Sequence, residues 1–332
     1  METVLSGVRP TGKLHLGNYL GAAINFVKMQ ENYKCFYFIA DYHALTTHTK
    51  AAMLRDSSLN VLIEYLAIGV DPEKATIYIQ SHVPEIAELY LFLNMFAYKG
   101  ELEKCVTFKE KARKEGQTLN AGLLTYPVLM AADILIHKAH KVPVGDDQMQ
   151  HLEMTRNFAQ RFNHYYETEY FPIPQAFNNG EELLRVPSLD GMGKMSKSDD
   201  GKSAIFLVDD EAAILKKIKA AKTDGGPSMP NQIKPIEIEN IFFLMKMVSD
   251  ESTYQFFDEA YNNCSIRYGD MKVQLAKDMN LYVKPFRERI LELQSDEAYV
   301  RKVARNGAEK ARESAQKTIK DVRDLIGLNS LH

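Results

Sequence analysis

The sequence predicts an α/β fold, a Rossmann-like doubly wound parallel sheet followed by an α-helical C-terminal region. Apolar strand candidates at 3–8, 35–40 and 75–80 are separated by segments whose apolar residues recur at helical spacing. Strands that alternate with helices are typical of a parallel sheet covered on both faces. From residue 236 onward the spacing is helical only, so the C-terminal region is expected to consist of helices.

Length, charge and cysteine content narrow the class of protein. The 332 residues, 45% of them hydrophobic, allow two domains or one large domain with an appendage. The net charge of −3 means that a nucleic-acid partner would have to be met by local basic patches. No CxxC pair occurs among Cys35, Cys105 and Cys264, so we expect neither zinc nor an iron–sulfur cluster, and sparse cysteine fits a reducing cytosol. We see no signal peptide and no 18-residue apolar run, and we expect no membrane span.

The first strand candidate, 3–8, leads through a glycine-containing turn into a helical pattern at 22–29. A strand that meets a helix N-terminus in this way forms an anion site. Within the turn, His15 and Asn18 are three residues apart and can face one ligand, while Gly17 removes the side chain between them. The residues alone leave two interpretations of His15: a ligand contact, or a structural histidine with internal partners.

The second strand candidate, 35–40, is continuously apolar and ends at polar residues that include His43. In open α/β sheets, ligands bind at the carboxyl ends of the strands. A helix is predicted at 50–68, and the third strand candidate precedes a helix that Pro84 opens and that runs to residue 93.

An apolar helix is predicted at 121–136, and it carries one acid, Asp133. Because a buried carboxylate is costly without a partner, Asp133 is expected either to bond a neighbouring tyrosine or amide or to accept an N–H or O–H from a buried ligand. Met130, Ala131 and Ala132 are expected to form a soft, roomy wall beside it.

A further apolar strand is predicted to begin at Val142 and to end in glycine and acids. Its carboxyl end falls at the same edge of the sheet. Asp146 and Asp147 are candidates for holding ribose hydroxyls there. A second interpretation is that one of them caps the helix predicted at 151–162.

The glycine-rich segment 191–201 contains two lysines three residues apart, Lys194 and Lys197, interleaved with Ser196 and Ser198. Glycines let the backbone approach a ligand closely, lysines supply mobile charges and serines supply short donors. The segment is therefore a candidate for closing over a polyphosphate. From composition alone, it could equally be an ordinary solvated surface loop.

Two further charged stretches have a plainer interpretation. Residues 108–115 are expected to form a solvated helical face. In the last predicted helix, residues from Val300 to Ile326 recur at spacings of three and four, and the small ones among them suggest close packing on a partner surface. Its basic residues between 301 and 323 are candidates for contact with RNA phosphate.

Two of these motifs, taken together and in this order, resemble the paired signatures of class I aminoacyl-tRNA synthetases. His15-Leu16-Gly17-Asn18 resembles the HIGH element, with Asn18 in the place of the second histidine. Lys194-Met195-Ser196-Lys197-Ser198 matches the KMSKS element without change. The run around Asp133 and the segment 142–148 are similar to the bacterial tryptophanyl-tRNA synthetases, and the resemblance covers residues 5–328.

The resemblance implies a domain organisation and an activity. It implies a class I catalytic domain at 1–204 with a helical insertion around 100–185, a helical anticodon-binding domain at 205–294 and a C-terminal helix at 295–332. L-tryptophan would be activated by ATP, with Mg²⁺ entering as part of the substrate, and then transferred to tRNA(Trp). A cytoplasmic homodimer is also implied. Some relatives carry an iron–sulfur cluster in the helical domain, but only Cys264 lies in that region here, so none is expected.

The resemblance also assigns site residues. Asp133 would accept the indole N–H, which is only a donor, and Gln148 would contact the ammonium or the carboxylate of the amino acid. The remaining tryptophan contacts implied are Gly7, His43, Tyr126, Met130, Val142 and Val144. The catalytic residues implied are His15, Lys111, Lys194 and Lys197, which would contact or neutralise the phosphates. The ATP contacts implied are Arg9, Pro10, Thr11, Gly17, Asn18, Gly145, Asp146, Asp147, Val186, Lys194, Met195, Ser196, Lys197 and Ser198.

The chain departs from the pattern of this family at two positions. Arg9 stands where many relatives have glutamine, and Leu5 stands where an aromatic residue is common. The contact of residue 9 with ATP is therefore expected to differ, and the floor of the amino-acid pocket near residue 5 is left open.

The sequence also admits three functions besides tryptophan activation. Asp133 by itself is compatible with tyrosine, whose hydroxyl is able to donate to it. A different adenylyl or nucleotidyl transferase would share the first motif, but the intact 191–201 segment argues against it. A non-catalytic RNA-binding paralogue is the third possibility, and the intact His15, Asp133 and Lys194 argue against that one.

Overall fold

A computed structural model of the chain describes residues 1–10, 12–47, 50–112, 119–145, 148–177, 184–191, 193–196 and 201–328, leaving out the side chains of Thr107, Lys111 and Ala112. The described residues contain one sheet of five parallel strands in the order β3-β2-β1-β4-β5. The strands are β1 (Thr3–Val8), β2 (Lys34–Ile39), β3 (Ala75–Ile79), β4 (Lys141–Val142) and β5 (Gln175–Ala176). From β1, the next strands along the chain are added on one side, and β4 and β5 are added on the other side. The gap between β1 and β4 is therefore the switch point of the sheet, where open α/β sheets bind ligands.

The helices follow the chain in the alternation that the sequence predicts. In the first two thirds they are α1 (Leu16–Asn18), α2 (Ile24–Met29), α3 (Asp41–Ala44), α4 (Ala51–Ala67), α5 (Glu85–Asn94), α6 (Lys99–Leu102), α7 (Val106–Ala112), α8 (Ala121–Ile136) and α9 (Met149–Tyr165). The C-terminal part holds α10 (Glu211–Ala220), α11 (Ile236–Val248), α12 (Glu251–Asn262), α13 (Tyr268–Ser295) and α14 (Glu297–Leu325). A π-helical segment, Tyr19–Ala23, joins α1 to α2.

The sheet separates two buried cores because successive side chains of a strand point to opposite faces. Along β2, Tyr37 and Ile39 enter a core shared with α2, α4 and the helices of the C-terminal region. Phe36 and Phe38 enter the second core, together with α5, α8 and α9. This arrangement confirms the predicted doubly wound parallel sheet with a helical C-terminal region.

Two boundaries differ from the prediction. The strand expected from Val142 ends at that residue, because Pro143 has no N–H with which to continue the ladder. Helix α9 extends two residues before and three residues beyond the predicted 151–162, and its N-cap, Gln148, makes no side-chain capping bond. The predicted caps, Asp146 and Asp147, lie outside the described residues.

Helix α14 covers the edge strand β3, and a glycine makes this possible. A Cβ atom added to Gly307 would lie 1.8 Å from the carbonyl oxygen of Ile77, so no larger residue fits there without moving the backbone. Further along, Arg323 pairs with Glu88 of α5 at 2.6 Å. The surface that the small residues of α14 pack against is therefore the sheet and α5 of the same chain. Within the described part of the chain, no helix has both the length and the apolar character needed to cross a membrane.

Candidate active site

Two cavities meet at the switch point of the sheet. One has a volume of about 380 Å³ and lies towards α8, and the second has a volume of about 500 Å³ and lies towards α1 and α2. Both are lined by residues from the carboxyl end of β1 and from the segment after β4. The shared lining residues are Ser6, Gly7, Arg9, Pro143, Val144 and Gly145. A group bound in one cavity would thus adjoin a group bound in the other.

Asp133 occupies the centre of the polar network in the smaller cavity. The residue is fully buried, and its two carboxylate oxygens have different partners. Oδ2 lies 2.8 Å from Nε2 of His43, and Oδ1 accepts a 2.7 Å hydrogen bond from Nε2 of Gln80. Burial raises the pKa of the Asp133 carboxyl, and the bonds from His43 and Gln80 oppose that rise.

Gln80, which the sequence pattern did not identify, does not line the cavity but holds Asp133 in place. It follows β3 directly and is completely buried. Its Oε1 accepts the N–H of Tyr42 at 3.1 Å while its Nε2 donates to Asp133, so the amide has a fixed orientation. Its position at the carboxyl end of a predicted strand, as for His43, was the available signal.

All eight residues that the resemblance assigns to the amino acid line the smaller cavity. Met130 and Asp133 project into it from α8, together with Ile134. Ala131 and Ala132, which were expected to form the wall, are instead buried in the core on another face of this helix, so that expectation was wrong. The eight residues are Gly7, His43, Tyr126, Met130, Asp133, Val142, Val144 and Gln148.

Gly7 shows why the cavity is open next to β1. A Cβ atom at this position would lie 2.3 Å from the ring of Phe38, which also lines the cavity. Any larger residue would displace that ring. The floor of the cavity therefore depends on glycine at this position.

A second polar cluster lies on the same cavity and was not predicted. His151, on the first turn of α9, contacts the hydroxyl of Tyr126, and its Nδ1 lies 2.9 Å from Oε1 of Gln148. The thiol of Cys105 lies 3.2 Å from Nε2 of the same ring. Burial raises the pKa of this thiol, but the hydrogen bonds to His151 and Tyr126 outweigh burial and lower it to about 7.

The larger cavity lies between the two signature motifs. His15 and Asn18 line it from α1, and Lys194, Met195 and Ser196 line it from the opposite side. The two motifs contact each other: a Cβ atom at Gly17 would lie 3.2 Å from Cβ of Met195. Backbone bonds on either side hold this contact, from Leu16 N–H to Ile205 O at 2.8 Å and from Met195 N–H to Val186 O at 2.7 Å.

His15 is buried, and it has a structural bond as well as a position at the cavity. Its Nδ1 accepts the N–H of Asn18 at 3.1 Å and so caps α1. Two amide oxygens of this region, Oδ1 of Asn18 and Oδ1 of Asn25, are buried without a hydrogen-bond partner among the described residues. Buried acceptors of this kind are costly, and both residues face the larger cavity, where a ligand donor could satisfy them.

Glu64 is a buried acid of α4 that the sequence pattern did not single out. Its Oε2 accepts the N–H of Leu14 at 2.9 Å, so it holds the backbone just before His15. An acid inside an apolar helix was the same signal that identified Asp133, and it would have found this residue as well.

The remaining predicted nucleotide contacts form three groups: residues that lie away from the larger cavity, residues that line both cavities, and residues that the structure does not describe. Pro10, Gly17 and Val186 do not line the larger cavity; Gly17 and Val186 instead support the contact between the two motifs. Arg9 and Gly145 line both cavities. Thr11, Asp146, Asp147, Lys197 and Ser198, and the side chain of Lys111, lie outside the described residues.

Comparison with known proteins gives consistent matches over nearly the full length. A family model described as class I tRNA synthetases (W and Y) matches residues 2–284. The chain is 58% identical over 327 residues to the tryptophan–tRNA ligase of Porphyromonas gingivalis, covering 98% of this chain and 99% of that protein. It is 44% identical over 330 residues to the tryptophan–tRNA ligase of Rickettsia felis, covering 98% of each chain.

A solved structure supports the same relation. The tryptophanyl-tRNA synthetase of Campylobacter jejuni, crystallised in complex with ADP and tryptophan, superposes with a TM-score of 0.89. The sequences are 37% identical, and the match covers 98% of this chain and 99% of that one.

Proposed function

The chain belongs to the class I tRNA synthetases of the tryptophan and tyrosine type, and we propose that it is a tryptophan–tRNA ligase. It activates L-tryptophan with ATP, forming tryptophanyl adenylate and pyrophosphate, and then transfers the aminoacyl group to tRNA(Trp). The observation that carries this proposal is the pair of adjoining cavities. One is apolar with a buried carboxylate and the second lies between the two signature motifs, and they share the ends of β1 and β4.

The smaller cavity fits an indole side chain. Met130, Val142 and Val144 supply apolar contacts, and Asp133 supplies the acceptor that an indole N–H requires. Because His43 and Gln80 direct N–H groups at the carboxylate, they favour its charged form over the neutral acid. We assign Asp133 to the indole N–H, with Gln148 and Tyr126 at the amino-acid head group.

The larger cavity fits ATP. We assign the α-phosphate to the shared wall next to Arg9 and Gly145, where the tryptophan carboxylate would reach it. The carboxylate oxygen then forms a bond to the α-phosphorus as the bond to the pyrophosphate oxygen breaks. Such transfers depend mainly on positioning and on neutralising charge. Lys194, with Lys197 and Lys111, would supply positive charge, and Mg²⁺ would enter with ATP.

His15 is assigned a positioning role at the phosphates or ribose, not that of a nucleophile. Its Nδ1 is engaged with the N–H of Asn18, which fixes the orientation of the ring at the edge of the larger cavity. Phe206 packs edge-on against its ring, with the two ring centroids 6.3 Å apart. This contact links the motif to the segment that follows the 191–201 loop.

The helical C-terminal region is assigned to tRNA. We propose a catalytic domain at 1–204, with a helical insertion around 100–185, an anticodon-binding domain at 205–294 and a C-terminal helix at 295–332. In α14, Arg301, Arg312 and Arg323 already pair with Glu297, Glu85 and Glu88. RNA contacts are therefore expected from the helices at 211–295 more than from these three arginines.

We also propose that the chain forms a homodimer in the cytoplasm. The end of α5 and the loop that follows it expose large apolar side chains: Leu91 is 54% exposed, Met95 72% and Tyr98 63%. Exposed apolar residues grouped in this way mark protein interfaces. Covering them with a second copy would remove them from water.

The test is ATP–pyrophosphate exchange with each amino acid, without tRNA. We expect exchange with tryptophan and not with tyrosine, followed by tryptophan attachment when tRNA(Trp) is added. Exchange with tyrosine alone would overturn the assignment of the smaller cavity and leave the reaction type standing. No exchange with any amino acid would overturn the proposed activity.

A further inference from the structure

Cys105 is a fully buried thiol beside the smaller cavity, which is called the amino-acid cavity from here on because tryptophan is assigned to it. Two short helices place the thiol there. It lies between α6 and α7 and does not itself line the cavity. Its Sγ lies 3.2 Å from Nε2 of His151 and 3.5 Å from the hydroxyl oxygen of Tyr126. Both of these neighbours do line the cavity. The thiol therefore packs against His151 and Tyr126 on the side that faces away from the cavity.

The proton arrangement around His151 follows from its partners. Oε1 of Gln148 is an amide oxygen and can only accept, so Nδ1 of His151 must carry the hydrogen in their 2.9 Å contact. Nε2 of the same ring contacts both the Tyr126 hydroxyl and the Cys105 thiol, and in the neutral ring its single lone pair accepts a hydrogen bond from one of them. These contacts form one chain from Cys105 and Tyr126 through His151 to Gln148.

The backbone around Cys105 is held independently of its thiol. Oε1 of Gln150 accepts the N–H of Val106 at 3.0 Å, and Nε2 of Gln150 reaches the carbonyl of Lys104 at 3.5 Å. Gln150 therefore ties the residues on both sides of Cys105 to the first turn of α9. Because of these bonds, removing the thiol should change the packing of His151 without releasing the segment.

We propose that Cys105 is a positioning residue for tryptophan, acting through His151 to fix the Gln148 amide and the Tyr126 hydroxyl at the head-group end of the cavity. This inference rests on the proposed function, since it concerns the amino-acid cavity. Without the thiol, the ring of His151 and the hydroxyl of Tyr126 gain space, and each loses a polar contact. Gln148 and Tyr126 then sample orientations that do not bind the amino acid.

The test measures tryptophan-dependent ATP–pyrophosphate exchange in the full-length chain. Cys105→Ala is expected to raise the KM for tryptophan about tenfold, with kcat and the KM for ATP within about twofold of wild type, which is the scale of one neutral hydrogen bond. Cys105→Ser keeps a donor and is expected to restore most of the loss. Cys35→Ala removes another buried thiol, in β2 and away from the cavity. It is expected to lower thermal stability with no change in the KM for tryptophan.

The outcomes separate this inference from the proposed function. If wild type shows no tryptophan-dependent exchange, the function and this inference both fail. If wild type is active and Cys105→Ala has an unchanged KM for tryptophan, only the role of Cys105 is overturned. An equal rise in Cys35→Ala, or no rescue by Cys105→Ser, would mean general loosening of the fold and would also overturn it.

Discussion

The two cavities differ in how completely their polar groups are bonded. In the amino-acid cavity both oxygens of Asp133 have partners, and so do the ring nitrogens of His151. In the larger cavity, which is called the nucleotide cavity here because ATP is assigned to it, two buried amide oxygens, on Asn18 and Asn25, have no partner among the described residues. Among the described residues, the polar side chains cited for the first cavity are thus held by internal bonds, whereas the second cavity contains acceptors that a ligand would satisfy.

This difference suggests that the amino-acid cavity selects the amino acid and that the nucleotide cavity promotes the reaction. A site with its polar groups already fixed discriminates among amino acids before any reaction, because only a ligand whose donor meets the carboxylate of Asp133 in its fixed orientation gains a hydrogen bond there. The larger cavity gains its contacts only when the nucleotide is in place, because its unpaired acceptors need donors such as ribose hydroxyls or the adenine amino group, and its exposed Lys194 needs phosphate charge. Contacts from Lys194 that strengthen as charge develops on the phosphates accelerate the reaction, whereas contacts made equally in the ground state only strengthen binding.

The largest effect is expected from Asp133→Ala. It removes the acceptor for the indole N–H and leaves the donors of His43 and Gln80 without a partner, so kcat/KM for tryptophan should fall by about a thousandfold. The KM for ATP should change little, because Asp133 does not line the nucleotide cavity. Steady-state ATP–pyrophosphate exchange measures both constants.

Gln80→Ala is the matched control for the loss of Asp133. It keeps the carboxylate and removes one of its two donors. We expect a smaller loss of about thirtyfold, the scale of a single hydrogen bond to a charged group. If Asp133→Ala raised the KM for ATP as much as that for tryptophan, the separation of the two cavities would be wrong.

The next largest effect is expected from Lys194→Ala. Loss of one donor to the developing phosphate charge should lower kcat of exchange by about a hundredfold while leaving the KM for tryptophan unchanged. Lys216→Ala, which removes an exposed lysine of α10, should have wild-type kinetics. A Lys194→Ala enzyme that changed only the KM for tryptophan would contradict the assignment of the nucleotide side.

The smallest effect is expected from His137→Gln, and it concerns the pH dependence of the free energy of unfolding. His137, one turn after Asp133 at the end of α8, is buried against Phe36, and its nitrogens lie 2.9 Å from the Tyr78 hydroxyl and 3.2 Å from Oγ of Ser314. Burial, and to a smaller degree the charge of Lys34, lowers its pKa to about 3. Below its ordinary pKa of about 6.5, the unfolded chain therefore binds a proton that the folded chain does not.

Stability should accordingly fall as the pH drops from about 6.5 towards 3. Relative to His137→Gln, wild type should lose about 2 kcal/mol more of its free energy of unfolding between about pH 7 and pH 5. Urea unfolding of both proteins at the two pH values measures this difference, in which the remaining titrating groups cancel. Equal losses in the two proteins would show that His137 is protonated in the folded state.

The sequence predicted the parts of the fold and site that rest on local pattern. Short, mainly apolar segments identified β1, β2 and β3, and an acid inside an apolar helix singled out Asp133. The resemblance then assigned eight residues to the amino acid, and the fold brings them to one cavity. They converge because some lie at or just after the ends of strands whose positions the sheet determines, and Tyr126, Met130 and Asp133 lie on the face of α8 that lines the cavity.

The parts that were missed depend on contacts between distant segments. Gln80 and Asp133 are 53 residues apart, and Cys105 and His151 are 46 apart. No periodicity indicates that such side chains meet. The early end of β4 at Val142 has another cause, because the apolar run continues through Pro143, which has no N–H with which to extend the ladder.

The amino-acid cavity is expected to bind tryptophan before the nucleotide binds, because its polar side chains already hold fixed positions. The chain contains no tryptophan, so fluorescence excited at the red edge of tyrosine absorption reports added tryptophan directly. Titration of tryptophan into the protein without ATP should show saturable binding of one tryptophan per chain, and excess tyrosine should not displace it. Binding that appears only when ATP is present would contradict the account.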